Sequence, residues 1–449
     1  MGLERTWGSL LLTVVLVAFL PNISSLQINS TDQETNCFER GINIKCFKKF
    51  LQPAAVTLND TSSTNFLNAL YRKINSEADT ASKSRHKRRA AKKLVRREIR
   101  AGPYETNFLC YALAVQRLKK HFGIRPDRST YDIIAIIHTG SPREHGGPAF
   151  FSWHRIYLLL YEAALQSVFG PGVTTPYWDS TLDEAMGKRQ ARTILFSNKY
   201  FGTPFGEVTE GFFANLPGAK IRRNVGATAN LITKKAVALV LSRKRHSQIV
   251  RREKLKYFWE GYHNSVHRWV DGNMASGPIA AFDPIFWCHH AYIDYVWELF
   301  RKRIRNAPAD YPLGFPEQPP DGQMRFNSYI YQPNPPITNQ QGYSNKYARL
   351  RRYDPAPSCK NLCSNSEDLY CNREKDICVS LERVSGETIA QDAIAYPFSA
   401  FSVPQGPDNI TLQGIKQAIL QELPAGTPLN LFEVTDISPN TRAISVFDV

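Results

Sequence analysis

Four stretches of the chain set apolar residues at helical spacing. YDIIAIIHTG, residues 131–140, is an apolar run that Gly140 is placed to stop as a helix. FFSWHRIYLLLYEAAL, residues 150–165, is apolar on most sides and predicts a core helix. GYHNSVHRWVDG, residues 261–272, sets His263 and His267 at i, i+4, one turn apart on a single helical face. In FDPIFWCHHAYIDYVWELF, residues 282–300, Phe286, His290, Ile293, Asp294 and Trp297 share a face that points into a core.

Elsewhere the pattern changes. Arg5, then LLLTVVLVAFL over residues 10–20, then NISS has the form of a signal peptide cleaved near Ser25, and its apolar run is too short to span a bilayer comfortably. No other stretch is long and apolar enough for a membrane helix. Residues 26–90 are polar and poorly periodic and read as a prosegment. Residues 306–345 hold eight prolines with several Asn and Gln, a pattern for a long extended loop wrapping the surface. Towards the end, TLQGIKQAILQEL predicts an amphipathic helix through Leu412, Ile415, Ile419 and Leu423, and LNLFEV and AISVFDV predict short strands. The division is a signal over 1–25, a prosegment over 26–94, a main domain over 95–305, a Pro-rich segment over 306–357, a Cys-rich segment over 358–380 and a small α+β module over 381–449.

A hydrophobic fraction of 43% over 449 residues suffices for a sizeable core. The net charge of +16 would suggest a polyanion partner, but residues 83–100 hold ten Lys or Arg against one Glu, more than half of the excess. No nucleic-acid-binding motif accompanies this run, which reads as an amphipathic basic helix or a solvated linker. Within it, Arg85-His86-Lys87-Arg88 has the dibasic form that secretory convertases cleave, after Arg88 or Arg89. Four sequons, at Asn22, Asn29, Asn59 and Asn409, fit an exported chain. Of eight cysteines, Cys359, Cys363, Cys371 and Cys378 predict two local disulfides of open pairing, and Cys37 with Cys46 a third. Cys288 reads as a packed thiol, with a bridge to Cys110 left open.

The candidate chemistry lies in the histidines. Six of the ten fall into two clusters: His138, His145 and His154, then His263, His267 and His290. Three imidazoles form a ligand set for a transition metal that keeps an open coordination position, and two sets suggest a metal pair. All but His145, which PREHGGP places in a loop, fall on the four predicted helices, as in a bundle-core metal site. A ligating His donates its other ring N–H to an acceptor, and Asp294, one turn after His290, is the candidate for that role. Phe286 lies behind the ligands on the same face. Phe151 and Trp153 read as core packing.

These residues carry a family resemblance. HGGPAFFSWHRIYLLLYEAAL resembles the second half of the first copper motif of the tyrosinases, VTTPYWDSTLD the segment that follows it, and HNSVH with DPIFWCHHAYIDYVW the second copper motif. The likeness covers roughly residues 95–355, and the Cys-rich tail resembles that of secreted, mollusc-type tyrosinase-like proteins. It implies two copper ions, one bound by His138, His145 and His154 and the other by His263, His267 and His290. In the HH pair the family's ligand is the second His, which leaves His289 behind the ligands or on the substrate side. Asn264 occupies the position linked in tyrosinases to activating a water for phenol deprotonation, and Glu260 lies near that of the family's partner glutamate. Some members crosslink a cysteine to the second ligand of the first copper; Arg143 stands there, so no thioether is expected.

The expected fold is therefore mainly α, a four-helix core around a dinuclear copper site with the Pro-rich, Cys-rich and C-terminal parts appended. The resemblance implies a secreted tyrosinase that hydroxylates monophenols and oxidises o-diphenols to o-quinones with O2. Its substrates would be tyrosine, DOPA, catechols or tyrosyl side chains of matrix proteins, for matrix crosslinking or melanin. A diphenol-restricted catechol oxidase, a haemocyanin-like oxygen carrier and a redox-silent matrix protein with structural zinc are the competing readings.

Overall fold

The computed structural model describes residues 61–83, 94–139, 141–326 and 331–383, all within one unit, Thr57–Val449. In chain order the elements used below are α1 (Thr61–Lys83), β1 (Leu94–Arg96), α2 (Cys110–Lys120), α3 (Thr130–Thr139), α4 (Ala149–Phe169), the hairpin of β2 (Phe205–Glu207) and β3 (Arg222–Asn224), α5 (Lys234–Leu241), α6 (Trp259–Val270), α7 (Ile285–Arg301), β4 (Arg351–Tyr353), and the hairpin of β5 (Leu369–Asn372) and β6 (Ile377–Ser380). The fold is mainly α, as its apolar periodicity predicts, and the four expected helices are α3, α4, α6 and α7.

α4 is the axis of the core. Every residue from Ala149 to Gln166 is buried, so its sequence has no polar face to give away. α2, α3 and α7 pack around it, and Tyr161 of α4 stacks on Trp287 of α7 at 3.8 Å between ring centroids and 5° between planes. α7 is seated by Asp283, which accepts from the Ile285 N–H at 3.1 Å and pairs with the buried Arg223 of β3 at 2.7 Å.

Two sequence expectations fail at the N-terminal end. The first is poor periodicity over 26–90. α1 is a 23-residue helix that buries Leu67, Leu70, Tyr71, Ile74 and Ala78, a stripe at helical spacing that a composition reading averaged over the whole polar stretch does not resolve. It packs on α4 and is tied at its far end by Tyr347, whose hydroxyl donates to Asn75 Oδ1 at 2.8 Å. The second is the basic run. From residue 94 it is extended, β1 pairing in parallel with β4, and alternation turns Arg96, Glu98 and Arg100 to one buried face. Arg96 pairs with Glu162 at 3.1 Å, and Arg100 with Glu98 at 2.6 Å and Asp183 at 2.7 Å. Two of these acidic partners, Glu162 and Asp183, lie 66 and 83 residues away, which is why a local charge count reads a solvated segment.

The Pro-rich segment, where it is described, runs over the domain in short 3₁₀ turns and irregular chain. It is also anchored inward, with Tyr311, Met324, Phe326 and Tyr343 buried. Trp153 stacks on Phe326 at 5.2 Å and Phe151 on Trp297 at 5.2 Å, so both are packing residues. The Cys-rich segment holds two local disulfides, Cys359–Cys371 and Cys363–Cys378. Cys288 is a buried free thiol and forms no bridge to Cys110. No described helix is long and apolar enough to cross a membrane. The signal, the four sequons, Cys37 and Cys46, the dibasic site, Gly140 and the C-terminal module from residue 384 lie outside the described residues.

Candidate metal centre

The core helices bring the six histidines into two groups. In each of them, His138, His145 and His154, and His263, His267 and His290, one ring nitrogen per residue lies within 4.8 Å of the others, and all six rings are buried. The groups meet where His154 of α4 stacks on His290 of α7, 4.3 Å between centroids and 10° between planes. Phe150 bridges them on one side, 4.7 Å from His154 and 4.9 Å from His263. Phe286 does so on another, 4.2 Å from His290 and 5.0 Å from His138.

Hydrogen bonding aims the rings. Nδ1–H donates to a backbone carbonyl in four of them: His138 to Gly277 at 2.7 Å, His145 to Ser141 at 2.9 Å, His154 to Phe150 at 2.8 Å and His267 to Met274 at 2.7 Å. His263 donates from Nδ1 to Asn264 Oδ1 at 2.8 Å. In all five the Nε2 lone pair is left pointing inward. Nε2 of His290 lies 3.0 Å from that of His263 and 3.3 Å from that of His267. Nε2 of His138 and of His154 is buried without a hydrogen-bond partner. Orphaned buried acceptors are rare and costly unless a metal or water satisfies them, and neutral nitrogen donors suit copper. The two triads fit a dinuclear copper site.

The electrostatics agree. Burial, reinforced by neighbouring imidazoles, holds His138, His154, His263 and His290 well below the ordinary histidine range, and burial brings His145 and His267 to about 4. Each ring is therefore neutral near pH 7 and has a lone pair to give.

Two segments that carry no ligand set this geometry. The loop 271–278 lends carbonyls to both triads, Met274 to His267 and Gly277 to His138. It is stitched to the β2–β3 hairpin by Asn273, which accepts from the Arg222 N–H at 2.9 Å and donates to the Lys220 carbonyl at 3.1 Å. Gly272 has φ of 56°, and a Cβ there would stand 2.0 Å from the Arg222 carbonyl oxygen. The second segment is the wrapping one. Gln318 donates to the carbonyls of Arg143 and His145 at 2.5 and 3.0 Å and accepts from the Ala149 N–H at 2.8 Å, bracketing the loop that carries His145. Neither Gln318 nor Asn273 has a sequence signature. The backbone acceptors have none either, since every residue carries a carbonyl.

The remaining candidates fall as follows. Asp294 does not orient His290: it accepts from Arg155 Nε at 2.7 Å and from the Tyr353 hydroxyl at 2.6 Å. Spacing put it on the right turn, but a buried carboxylate goes to a guanidinium within reach. His289 lies behind the second triad, stacked on His263 at 5.1 Å and facing Trp178 at 6.1 Å. Asn264 is tied to His263, as above. Glu260 is buried, with both oxygens accepting from the Gly146 N–H at 2.7 and 2.8 Å, and burial pushes its carboxyl up to about 7.

Comparisons with known proteins bear on this centre. Residues 128–303 match the family model described as the common central domain of tyrosinase. The chain is 34% identical over 298 residues to tyrosinase-like protein 1 of Margaritifera margaritifera, an alignment covering 62% of this chain and 58% of that one. It is 30% identical over 366 residues to a tyrosinase-like protein of Pinctada maxima, covering 72% of this chain and 75% of the relative. Among solved structures, a mutant polyphenol oxidase from Thermothelomyces thermophila superposes with a TM-score of 0.48 at 19% identity, over 67% of this chain and 100% of that one.

Proposed function

Because this chain belongs to the tyrosinase family, we propose that it is a secreted copper oxidase that hydroxylates monophenols at the ortho position and oxidises o-diphenols to o-quinones with O2. The observation that carries the reading is the contact of two buried, neutral histidine triads through His154 and His290. Two copper ions, when bound, supply the electron transfer between O2 and the phenol.

The chain's own residues do the rest. His138, His145 and His154 would hold one ion and His263, His267 and His290 the other, their tautomers fixed by the five Nδ1 hydrogen bonds. Phe150 and Phe286 keep water from the space between the triads. Glu260, with a carboxyl titrating near pH 7, is suited to take a phenol proton through a water. Asn264, one residue after His263, would position that water while its Oδ1 holds the ring. His289 would serve as a packing wall behind His263 and His267.

Oxygen uptake by the copper-loaded protein, with α1 kept in place, tests the reading. Consumption with both L-tyrosine and L-DOPA supports a tyrosinase, and with L-DOPA alone a catechol oxidase. Two bound coppers with no consumption favour oxygen carriage. No copper bound refutes the proposal. Glu260→Gln should keep two coppers per chain and slow hydroxylation about 10²-fold, with a smaller effect on diphenol oxidation. Of the biological outcomes, crosslinking of an extracellular matrix by quinones that react with Lys, Cys and Tyr is the first choice and melanin the second.

A further inference from the structure

The net charge of the chain has a second concentration besides the basic run before residue 100. Between Arg243 and Lys256 seven Lys or Arg stand against one Glu. Lys244, Arg245, Lys254 and Lys256 are exposed, and Leu255 among them is 76% exposed. None of these four cations is held in an ion pair among the described residues. A run of like charge in a folded, exposed segment is destabilised by its own repulsion and gains most from an external polyanion.

The segment is folded onto the rest of the domain and extends the charge beyond its own sequence. The guanidinium of Arg243 lies 4.3 Å from the Tyr257 ring and the ammonium of Lys256 lies 5.1 Å from it, on the turn that packs against α5. Arg303, at the end of α7, donates to the Leu241 carbonyl at 3.3 Å at the end of α5. The segment and the end of α7 thus present cations together.

The same segment runs to the edge of the metal centre. Arg251 lies over the Phe315 ring at 5.1 Å. Phe315 in turn packs against Gly147, a Cβ on which would meet its Cδ1 at 3.0 Å. Gly147 follows Gly146, whose N–H is held by Glu260. Three residues past Tyr257 the chain reaches Glu260, and six past it His263. The positive charge of Arg252 acts on both the Glu260 carboxyl and the His145 ring.

We propose that this basic face is a docking surface for acidic polypeptide segments, so that the preferred phenol is a tyrosyl side chain in an Asp- and Glu-rich context. The occupant is a polypeptide because the face leads to a site for phenols, and tyrosyl is the phenol that a polypeptide carries. The exposed Leu255 among the cations suits a chain with side chains of both kinds better than a uniformly charged polysaccharide. The proposal rests on the phenol-oxidising reading above, and its test separates the two.

The copper-loaded protein is given a tyrosyl peptide flanked by Asp and Glu, the same peptide with Asn and Gln in their place, and a small uncharged catechol. The acidic peptide should show a kcat/KM roughly tenfold or more above the neutral one at low salt, the two converging at about 1 M salt. Reversing the charges with Lys244→Glu, Arg245→Glu, Lys254→Glu and Lys256→Glu should abolish that preference and leave catechol oxidation unchanged, which also reports that the variant is folded. Fluorescence anisotropy of the labelled acidic peptide measures docking without turnover. Salt-sensitive binding lost in the variant, with no phenol oxidised, keeps the docking surface and sinks the oxidase reading. Catechol oxidation with equal kcat/KM for the two peptides, or a preference that survives charge reversal, overturns the docking surface alone. So does capture of heparin together with indifference to the acidic peptide.

Discussion

His263 and His267 stand one turn apart on a single helix, and their partner His290 follows on the next long helix, whereas His138, His145 and His154 come from a helix, a loop and a second helix. In the second triad, helix geometry brings two of the three ligands together, and the carbonyl of Met274 aims one of them. In the first, the loop ligand is placed by Gln318, a residue 173 positions further along the chain. Both triads have the same chemistry, but they differ in how much of the molecule must be folded before the ligands converge. Local spacing costs little entropy to close, and a loop pinned from a distant segment depends on the whole domain.

The contrast makes the sites separable, and the sharpest way to break it is to remove one ligand from each. His145→Ala and His267→Ala should each reduce bound copper from two to one per chain by elemental analysis and abolish oxygen uptake. Loss of both ions from either variant would show a single cooperative site. Next in size is Asp294→Ala. Leaving the buried Arg155 with Glu298 as its one remaining carboxylate, and the Tyr353 hydroxyl without Asp294 to donate to, should cost about 2–3 kcal/mol in denaturant unfolding, while copper stoichiometry stays at two, since Asp294 touches Arg155 and Tyr353 and not His290. Gln318→Ala follows. It should weaken copper at the first triad by about 10- to 100-fold in a metal titration and spare the second. Equal loss at both would refute the division. The smallest effect is expected for Asn273→Ala, roughly tenfold at both triads together, because the loop it holds supplies carbonyls to His138 and His267 alike.

Where the structure departs from the sequence reading, a short local signal met a long-range partner. Asp294 has the spacing of an acceptor for His290, but nothing near it in sequence announces Arg155, 139 residues before it. Arg96 and Arg100 sit in a run that reads as solvated, and only the packing of Glu162 and Asp183 against β1 and the residues after it makes them core residues. α1 was hidden for a different reason: Leu67, Leu70, Tyr71 and Ile74 stand at i, i+3, i+4 and i+7, but they fill two turns within a long polar stretch, and a reading averaged over residues 26–90 does not resolve them.

The sequence by itself determined the four core helices, the six histidines and their division into two threes, the loop position of His145 and the local pairing zone of the Cys-rich segment. Those follow from periodicities of a few residues and from side chains whose chemistry has few alternatives. Tertiary structure decided which nitrogen of each ring faces inward, that His154 and His290 meet at 4.3 Å, and that backbone carbonyls, Asn264 and Gln318 hold the ligands. A carbonyl is the same on every residue, so its role as an acceptor is fixed by where the fold brings it.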